Sequence, residues 1–542
     1  MRQLPIRILQ ACCFLLASCG ASDNATTLAV TGTAPATAQR FTPSPVALPN
    51  IPVREFVVTA YGAVPDDAQD DTAAIQAGID AVAAAGGGTL VFPPGRYDIS
   101  ISSATRRALT LVPRLRMLAR PAGQATIRLA DNQIVYESIM ATAAYPTRLD
   151  DAEFIGMTFD ANGLNNPVRD PDETNGDAPL QKANPTLRYV IRSFAGNRVR
   201  VTDCTFTNND NGNTLSFNGV DAGDITIEKS RFTNVGGALI DHDHSSIYTF
   251  ARRVIIAHNV FKSRNGAGTL GARTAFETHD DDVDVRDNVI DGFLQGTNIV
   301  GRVSSPSRQL YRNNRFMEVA VGINIWPLND KLLSAGAPAF ADLTIANNTI
   351  NLNTDAWRAS PAFVINQPGG IHFEADVADG RLARLDILDN RISFDTFTGK
   401  AADSDRYSAG IDLRGVQGKL AITTLNMSRN TITNSIGPGI LSAALVGGNE
   451  ASVMGFNTFV NAGRGLSLRG EGDPLRAGIV IAGAPNNLSI TGNNAVSTTS
   501  PASTLFGVVL ASDCLGYCAV ANNTSTGLQQ PLLVKGTGWT TP

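Results

Sequence analysis

The sequence is short of aromatic, charged and sulfur-containing residues. Of its 542 residues, 6% are aromatic and 17% are charged, and it holds six cysteines, five histidines and three tryptophans. The formal net charge of −5 argues against a nucleic acid as the partner, because binding a phosphate backbone requires a basic face. With 43% apolar residues the chain can bury a core, which excludes wholesale disorder.

The residues that are abundant favour β-structure. There are 50 glycines, and asparagine, threonine, valine and isoleucine recur throughout, which is typical of short strands joined by tight turns. Cys514 and Cys518 lie four residues apart in a turn-like segment and can form a disulfide if the protein is exported. Cys204 lies in an apolar strand and is predicted to be an inert core residue. No Cys/His spacing predicts a zinc site.

The first residues resemble an export signal. Arg2 and Arg7 precede an apolar stretch from Ile8 to Ala17 that is too short to span a bilayer. It ends at Leu16-Ala17-Ser18-Cys19-Gly20, which resembles the lipobox of bacterial lipoproteins. The resemblance implies that residues 1–18 are removed and that Cys19 is lipidated, giving an outer-membrane lipoprotein on the periplasmic or cell-surface side. Cleavage near Ser18 with an incidental Cys19 is the alternative.

The next segment predicts a linker. Residues 19–50 are rich in alanine, threonine, proline and serine, so we expect a flexible tether after Cys19. No second linker of this kind follows. The sequence therefore predicts a single folded domain from residue 51 to residue 542.

Residues 54–99 predict a strand, a turn, a helix, a glycine turn and a second strand. Asp70 or Asp71 caps the helix, and Ile75, Ile79 and Val82 form its apolar face. This order resembles the opening of the pectate lyase superfamily, including pectate lyase 3-type and mannuronan C5-epimerase-type domains. The resemblance implies an all-β fold, a right-handed parallel β-helix whose N-terminal end is capped by the helix. It does not specify the reaction.

The body of the chain carries two interleaved repeats, as a solenoid requires. In the first repeat, an asparagine precedes Ile, Phe or Val by two positions and is predicted to form a structural ladder at a bend: Asn259, Asn288, Asn314, Asn348, Asn390, Asn430, Asn457 and Asn494. The second repeat is a small residue followed by alternating apolar and polar residues. Since side chains alternate along a strand and coils stack about 4.8 Å apart, its polar members should converge on one outer face: Glu277, His279, Asn298, Asn324, Trp326, His372, Glu374, Asp412 and Arg414.

This face is the predicted functional site, a groove for a polysaccharide. For β-elimination on a uronic-acid chain, His279 or His372 would be the base, and Arg414 with Asn298 and Asn324 would neutralise the substrate carboxylate. For glycoside hydrolysis, Glu277, Glu374 and Asp412 would supply the two carboxyl groups. Trp326 would contribute to substrate binding in either case. A third reading is a non-catalytic glycan-binding or structural solenoid, in which the face is merely polar.

Two acidic segments lie near this face. Asp241-His242-Asp243-His244 occupies the place where mannuronan C5-epimerases carry Asp-Pro-His-Glu or Asp-Pro-His-Asp, but the Pro and His are replaced. That departure puts epimerisation in doubt, while Asp241 and His242 remain candidates for substrate binding. Asp280, Asp281, Asp282 and Asp284 form either a calcium site or a solvated acidic loop, and the second is favoured.

The sequence therefore predicts an exported, surface-anchored enzyme that cleaves a polysaccharide, with a lyase as the first choice. A glycoside hydrolase is the second choice, and a binding solenoid is the third. The expected partners are a polysaccharide substrate and a membrane reached through the lipid, with no nucleic acid. Calcium is a possible cofactor, and the oligomeric state is not determined by the sequence.

Overall fold

The computed structural model describes residues 41–542, with gaps inside that range. The gaps fall at 134–136, 145–146, 167–187, 210–212, 237–244, 270–271, 302–304, 328–336, 360–366, 374–379, 395–405, 416–419, 449, 469 and 471–472. Within the described part, residues 41–542 form one compact unit. No helix among these residues is long and apolar enough to cross a membrane.

The chain winds into coils, and a complete coil contributes strands to each of three parallel sheets. We call them sheet 1, sheet 2 and sheet 3 in the order in which a coil visits them. Every strand pairs in parallel with the equivalent strand of the next coil, which is the arrangement of a right-handed parallel β-helix. The predicted fold class is confirmed.

Sheet 1 contains the strands Arg107–Thr110, Ser138–Ala141, Tyr189–Ser193, Thr274–Thr278, Gln295–Val300, Val321–Trp326, Gly369–Phe373, Ile411–Leu413, Ile440–Ser442, Ala477–Ile481, Phe506–Leu510 and Gln530–Val534. Two longer strands, Leu215–Glu228 and Ser245–Ala257, begin in sheet 1 and continue around the corner into sheet 2.

Sheet 2 further contains Glu55–Val57, Gly88–Phe92, Leu115–Ala119, Ala152–Ile155, Asn197–Thr202, Asp281–Arg286, Ser307–Arg312, Phe340–Ala346, Arg381–Leu388, Ala421–Ser428, Leu445–Val446, Ser452–Gly455, Asn487–Thr491, Tyr517–Ala521 and Trp539–Thr540. Sheet 3 contains Gly95–Ile99, Ala125–Leu129, Met157–Asp160, Thr205–Thr207, Arg231–Val235, Val260–Ser263, Val289–Asp291, Arg315–Val319, Thr349–Leu352, Arg391–Phe394, Thr431–Thr433, Thr458–Val460, Asn494–Val496 and Thr524–Thr526.

Helix Thr72–Ala84 closes the N-terminal end, as predicted. The Asp70 carboxylate accepts a hydrogen bond from the Thr72 N–H at 2.9 Å, which satisfies one of the free donors at the helix start. Ile75, Ile79 and Val82 are fully buried in the main core, so the helix shields the first coil from water. The other helices are Thr354–Ala359 and Arg464–Leu468, with 3₁₀ turns at Val58–Tyr61 and Gly163–Asn165.

The predicted asparagine ladder lies at the bend between sheets 2 and 3. Each buried side-chain amide donates to the amide oxygen of the next rung, for example Asn348 Nδ2 to Asn390 Oδ1 at 3.0 Å, and that oxygen also accepts the backbone N–H of the previous rung. The ladder departs from the prediction at its C-terminal end. There the rungs are Asn493 and Asn523, whereas Asn494 already belongs to the strand that follows.

Steric crowding explains why the residue that opens a copy of the second repeat is small. A Cβ atom on Gly370 would lie 2.5 Å from the Gly410 carbonyl oxygen and 2.5 Å from Ile392 Cγ2. Gly322 and Gly410 are in the same position of neighbouring coils and are equally crowded. Glycine is therefore required where these three coils enter sheet 1.

Residues 41–50 run along the outside of the β-helix, outside any helix or strand. We call this segment the strap. Its backbone N–H groups donate to side-chain carboxylates of distant coils: Asn50 to Asp151, Ala47 to Asp224 and Ser44 to Asp282, at 2.8–3.0 Å. The predicted tether to residue 50 is corrected here, because its last ten residues are bound to the folded domain.

Cys204, Cys514 and Cys518 lie as predicted. Cys514 and Cys518 form a disulfide in the last coils. Cys204 is a buried free thiol, and burial raises its pKa to about 12, so it stays protonated and unreactive.

Candidate functional site

Strand register places the first outward-facing polar residue of each copy of the second repeat in one line across sheet 1. We call this line the outer column, because neighbouring side chains such as Ile323 and Ile325, on either side of Asn324, belong to the core. From one coil to the next it contains Arg192, Ser216, Tyr248, Glu277, Asn298, Asn324, His372 and Asp412, followed by Leu441, Val480, Val509 and Leu533.

A first cluster surrounds Glu277. His279 Nε2 lies 2.6 Å from Glu277 Oε1, and the Ser245 hydroxyl donates to Glu277 Oε2 at 3.2 Å. Burial raises the pKa of Glu277, whereas hydrogen bonds from His279, Asn298 and Ser245 lower it. The hydrogen bonds outweigh burial, so the pKa of Glu277 lies below its usual value. Glu277 is thus held as a carboxylate that orients the His279 ring.

Aromatic rings enclose the His279 imidazole. The Tyr248 ring centroid lies 5.1 Å from that of His279, and the Phe250 ring meets it edge-on at 6.3 Å. Sequence reasoning did not select Tyr248. The signal was present, because Tyr248 occupies the outer-column position one coil before Glu277.

A second cluster surrounds Asp412. Its carboxylate accepts from Arg414 Nε at 2.8 Å and lies 3.3 Å from His372 Nδ1. Burial raises the pKa of Asp412, but the charge and hydrogen bonds of Arg414, with a contribution from His372, lower it to about 2. Arg414 also binds Gln367, and its guanidinium carbon lies 5.1 Å from the centre of the Tyr407 ring.

The two clusters are linked by two asparagines and are far apart. Asn324 Nδ2 donates to Asn298 Oδ1 at 3.1 Å, and Asn298 in turn bonds Glu277. The register runs through four coil steps from Glu277 to Asp412, or about 19 Å at about 4.8 Å a step. The carboxyl groups of a glycosidase lie within about 10 Å of each other. Glu277 and Asp412 therefore do not form the predicted hydrolytic pair.

The remaining predicted site residues fall into two groups. Trp326 pairs with Val300 beside the outer column, is partly buried, and has no hydrogen-bond partner for its buried Nε1 among the described residues. Glu374, Asp241, His242 and Cys19 lie outside the described residues.

The acidic run after His279 is not the solvated loop that the sequence favoured. Asp281, Asp282 and Asp284 are at most 8% exposed and begin a strand of sheet 2. Asp281 binds Arg308 through two hydrogen bonds, and Asp284 binds Arg312 in the same way. Asp280 is fully buried and bonds Thr249 and the Ala251 N–H. Within the described part of the chain, no group of three or more His, Cys, Asp or Glu residues is arranged to hold a metal ion.

Comparison with known proteins supports this class of fold. Residues 56–148 match the sequence family "Rhamnogalacturonase A/epimerase, pectate lyase-like". The tailspike protein of E. coli bacteriophage HK620, solved in complex with a pentasaccharide, superposes with a TM-score of 0.61 at 14% identity over 87% of this chain and 78% of that chain. At that identity the likeness shows the fold alone.

Curated relatives match parts of the chain. The mannuronan C5-epimerase AlgE3 of Azotobacter vinelandii is 28% identical over 235 residues, 41% of this chain and 12% of the relative. Alginate lyase 7 of the same organism is 33% identical over 109 residues, 20% of this chain and 13% of the relative. The chain thus spans less than a quarter of the length of these relatives.

The match at residues 56–148 and the parallel β-helix together support a likeness to the pectin-lyase-like superfamily.

Proposed function

We propose that this protein is a polysaccharide lyase that acts by β-elimination on a uronic-acid-containing glycan of the mannuronan type. The observation that carries the proposal is the 2.6 Å contact between His279 Nε2 and the Glu277 carboxylate on the outer column. A histidine that is oriented by a carboxylate is suited to removing a proton next to a carbonyl group.

The hydrogen bonding of His279 suggests which nitrogen is the base. With Nε2–H donating to Glu277, the lone pair of the neutral ring lies on Nδ1, and no described residue hydrogen-bonds to Nδ1. Nδ1 would take the C5 proton of a uronic acid, and Glu277 would then stabilise the imidazolium. The Glu277 carboxylate remains charged at neutral pH because its pKa is lowered.

The rest of the elimination requires a carboxylate partner and an acid. The electrons of the broken C5–H bond form the C4–C5 double bond, and the C4–O bond to the neighbouring sugar breaks. Asn298 lies one coil from Glu277 and would hold the substrate carboxylate through its amide N–H. The Tyr248 hydroxyl, on the opposite side of Glu277, would protonate the leaving oxygen.

The second cluster takes a different role from the one the sequence suggested. Arg414 was expected to neutralise the substrate carboxylate, but its Nε and Nη2 are both bound to Asp412. Since Asp412 is neutralised by Arg414, His372 and Asp412 would bind a sugar several units away from the reacting bond. This placement is part of the proposal.

Epimerisation is the second candidate, and the mannuronan C5-epimerase relatives favour it. Both reactions begin with removal of the C5 proton, so the same residues serve both. They differ only in whether the C4–O bond breaks or the proton returns on the other face.

One experiment separates these reactions. The purified protein is incubated in D₂O with mannuronan, polygalacturonate and a neutral glucan, and three signals are followed: ultraviolet absorbance from a new double bond, new reducing ends, and deuterium at C5. Absorbance with reducing ends means elimination, and C5 deuterium without either means epimerisation. Reducing ends alone mean hydrolysis, and silence on all three assigns the groove to a binding solenoid.

We also propose that the protein is exported and lipid-anchored through Cys19. The Cys514–Cys518 disulfide supports an oxidising compartment. A Cys19→Ser variant should move from the membrane fraction to the soluble fraction of the cell envelope. Retention in the membrane fraction would contradict the anchor.

A further inference from the structure

The corner between sheets 1 and 2 carries a line of alternating charges. Successive coils place Asp151, Arg198, Asp224, Arg253, Asp282, Arg308 and Asp342 at the same position. We call this line the aspartate–arginine ladder. The first five residues have left-handed backbone angles, with φ between 55° and 64°, so the ladder follows a sharp corner of the coil.

Two of the three arginines hold the aspartate of the preceding rung in a fixed orientation. Arg198 grips Asp151 through two hydrogen bonds of 2.6 and 2.8 Å, and Arg253 grips Asp224 through two of 2.6 and 2.7 Å. Asp151 and Asp224 are 7% and 6% exposed, respectively. The carboxylates are therefore preorganised acceptors, and one oxygen of each faces the strap.

The strap contacts every second rung, because the rungs between are arginines. Its donors are Asn50, Ala47 and Ser44, and Asp342 accepts a hydrogen bond from the backbone of Phe41. The donors are spaced by three residues. In a polyproline helix three residues rise about 9.3 Å, and two coil steps are about 9.6 Å, so the two periods match along the whole contact.

The sequence of the strap respects this period. The three prolines of the strap all lie between donor positions: Pro43, Pro45 and Pro49. This placement matters because a proline at a donor position would remove the backbone N–H that donates the hydrogen bond. The hydrogen bonds to the ladder come from the backbone of the strap, and the side chain of Leu48 is 68% exposed. Recognition of this kind resembles the binding of an extended ligand to a preformed groove.

We propose that the aspartate–arginine ladder is a binding site for an extended, proline-containing peptide, and that the strap is its resident ligand, able to leave and rebind. The ligand is read by a backbone N–H at every third residue. This site is separate from the outer column and does not depend on the proposed reaction.

The test uses two full-length variants with equal numbers of added prolines. The first replaces three donors, Ser44→Pro, Ala47→Pro and Asn50→Pro, and keeps the polyproline geometry. The matched control carries Thr42→Pro, Val46→Pro and Leu48→Pro, which lie between donors. The probe is a fluorescein-labelled synthetic peptide with the sequence of residues 41–53, and binding is measured by fluorescence anisotropy.

The donor-deleted protein should bind one probe peptide per chain, because its own strap no longer occupies the ladder. The unmodified protein and the control should bind the probe at least about tenfold more weakly, because their own straps keep the donors and occupy the ladder. Each donor contributes a hydrogen bond to a charged group, which is worth about tenfold or more in affinity. A probe with Ala47→Pro should also bind the donor-deleted protein about tenfold more weakly, and a probe with Leu48→Pro should bind as the parent does. Equal binding by the two probes, or none by the donor-deleted protein, would overturn the proposal.

Amide exchange in the unmodified chain provides an independent check if the variants do not fold. The N–H groups of Ser44, Ala47 and Asn50 should exchange at least about tenfold more slowly than those of Val46 and Leu48. Equal exchange at all five positions would mean that the strap is not held by the ladder.

Discussion

The outer column has two halves that share one backbone geometry and differ completely in chemistry. From Glu277 to Asp412 every position is polar, and from Leu441 to Leu533 every position is apolar. The change occurs between Asp412 and Leu441, which are direct neighbours. The β-helix therefore does not dictate what this column carries, and the polar half is a departure that the fold does not require.

The two halves also differ in what their burial costs. Leu441, Val480 and Val509 pack in a second apolar cluster that is flanked by Tyr407, Leu475 and Phe506, and this burial is favourable on its own. The side chains of Asp412 and Glu277 are 2% and 12% exposed, respectively. Burial of these carboxylates is tolerated because hydrogen-bond donors surround them. A polar half that is costly to bury is consistent with a functional role.

The largest effect is expected from breaking the Glu277–His279 pair. Glu277→Gln and His279→Gln should each lower kcat/KM for the glycan by about 10²–10⁴-fold, because the base or its orientation is lost. Steady-state kinetics with ultraviolet detection measure this, and thermal unfolding verifies the fold. Leu533→Met, in the apolar half, is the control and should leave turnover unchanged. Equal losses in all three variants would remove the distinction between the halves.

A carboxylate introduced into the apolar half of the outer column should destabilise the protein. Leu441→Asp would bury a second carboxylate beside Asp412 without a partner, at a cost of about 4 kcal/mol in the free energy of unfolding. Leu441→Met preserves the apolar character and should cost less than about 1.5 kcal/mol. Denaturant unfolding compares the two, and similar values would show that Leu441 is not packed as described.

The pH dependence of stability should report on Asp412. Its pKa is about 2 in the folded protein and about 3.9 in an unfolded chain. Its stabilising contribution is therefore complete above about pH 4 and is lost as the pH falls towards 2. Asp412→Asn should cost about 2–3 kcal/mol at pH 7 and should flatten this part of the acid unfolding curve. An unchanged acid profile in the variant would contradict the lowered pKa.

The smallest effect is expected at Trp326. Because its buried Nε1 has no partner among the described residues, Trp326→Phe should change the unfolding free energy by no more than about 1 kcal/mol. If the indole N–H donates to the glycan, KM should rise about two- to tenfold with kcat preserved. A fall in kcat with KM unchanged would place Trp326 in the chemical step.

The sequence predicted the repeat-borne features well. Alternation within strands and a recurring asparagine are local signals, and from them the fold, the asparagine ladder and the polar line from Glu277 to Asp412 could be predicted. Two features needed the coil register. The distance between Glu277 and Asp412 depends on the number of coils between them, and the assignment of Asn493 as the rung depends on a shift of one residue.

Other features depend on partners that are far away in the sequence. The sequence favours a solvated loop at Asp281 and Asp284, because Arg308 and Arg312, which neutralise them, lie about one coil later in the chain. The composition of the strap predicts part of a flexible tether. The aspartates that bind the strap are 101 to 238 residues away in the sequence. The positions of the strap prolines, by contrast, can be seen in the sequence itself.

The asparagine ladder also indicates how such a chain can diversify. Consecutive rungs are one coil apart in space, yet they are separated by 26 to 42 residues in sequence. Insertions are thus accommodated outside the rung without disturbing its neighbours. The stretch from one buried asparagine to the next is a unit that gene duplication or recombination can copy whole, and the intervening loops are the material on which selection for a new glycan can act.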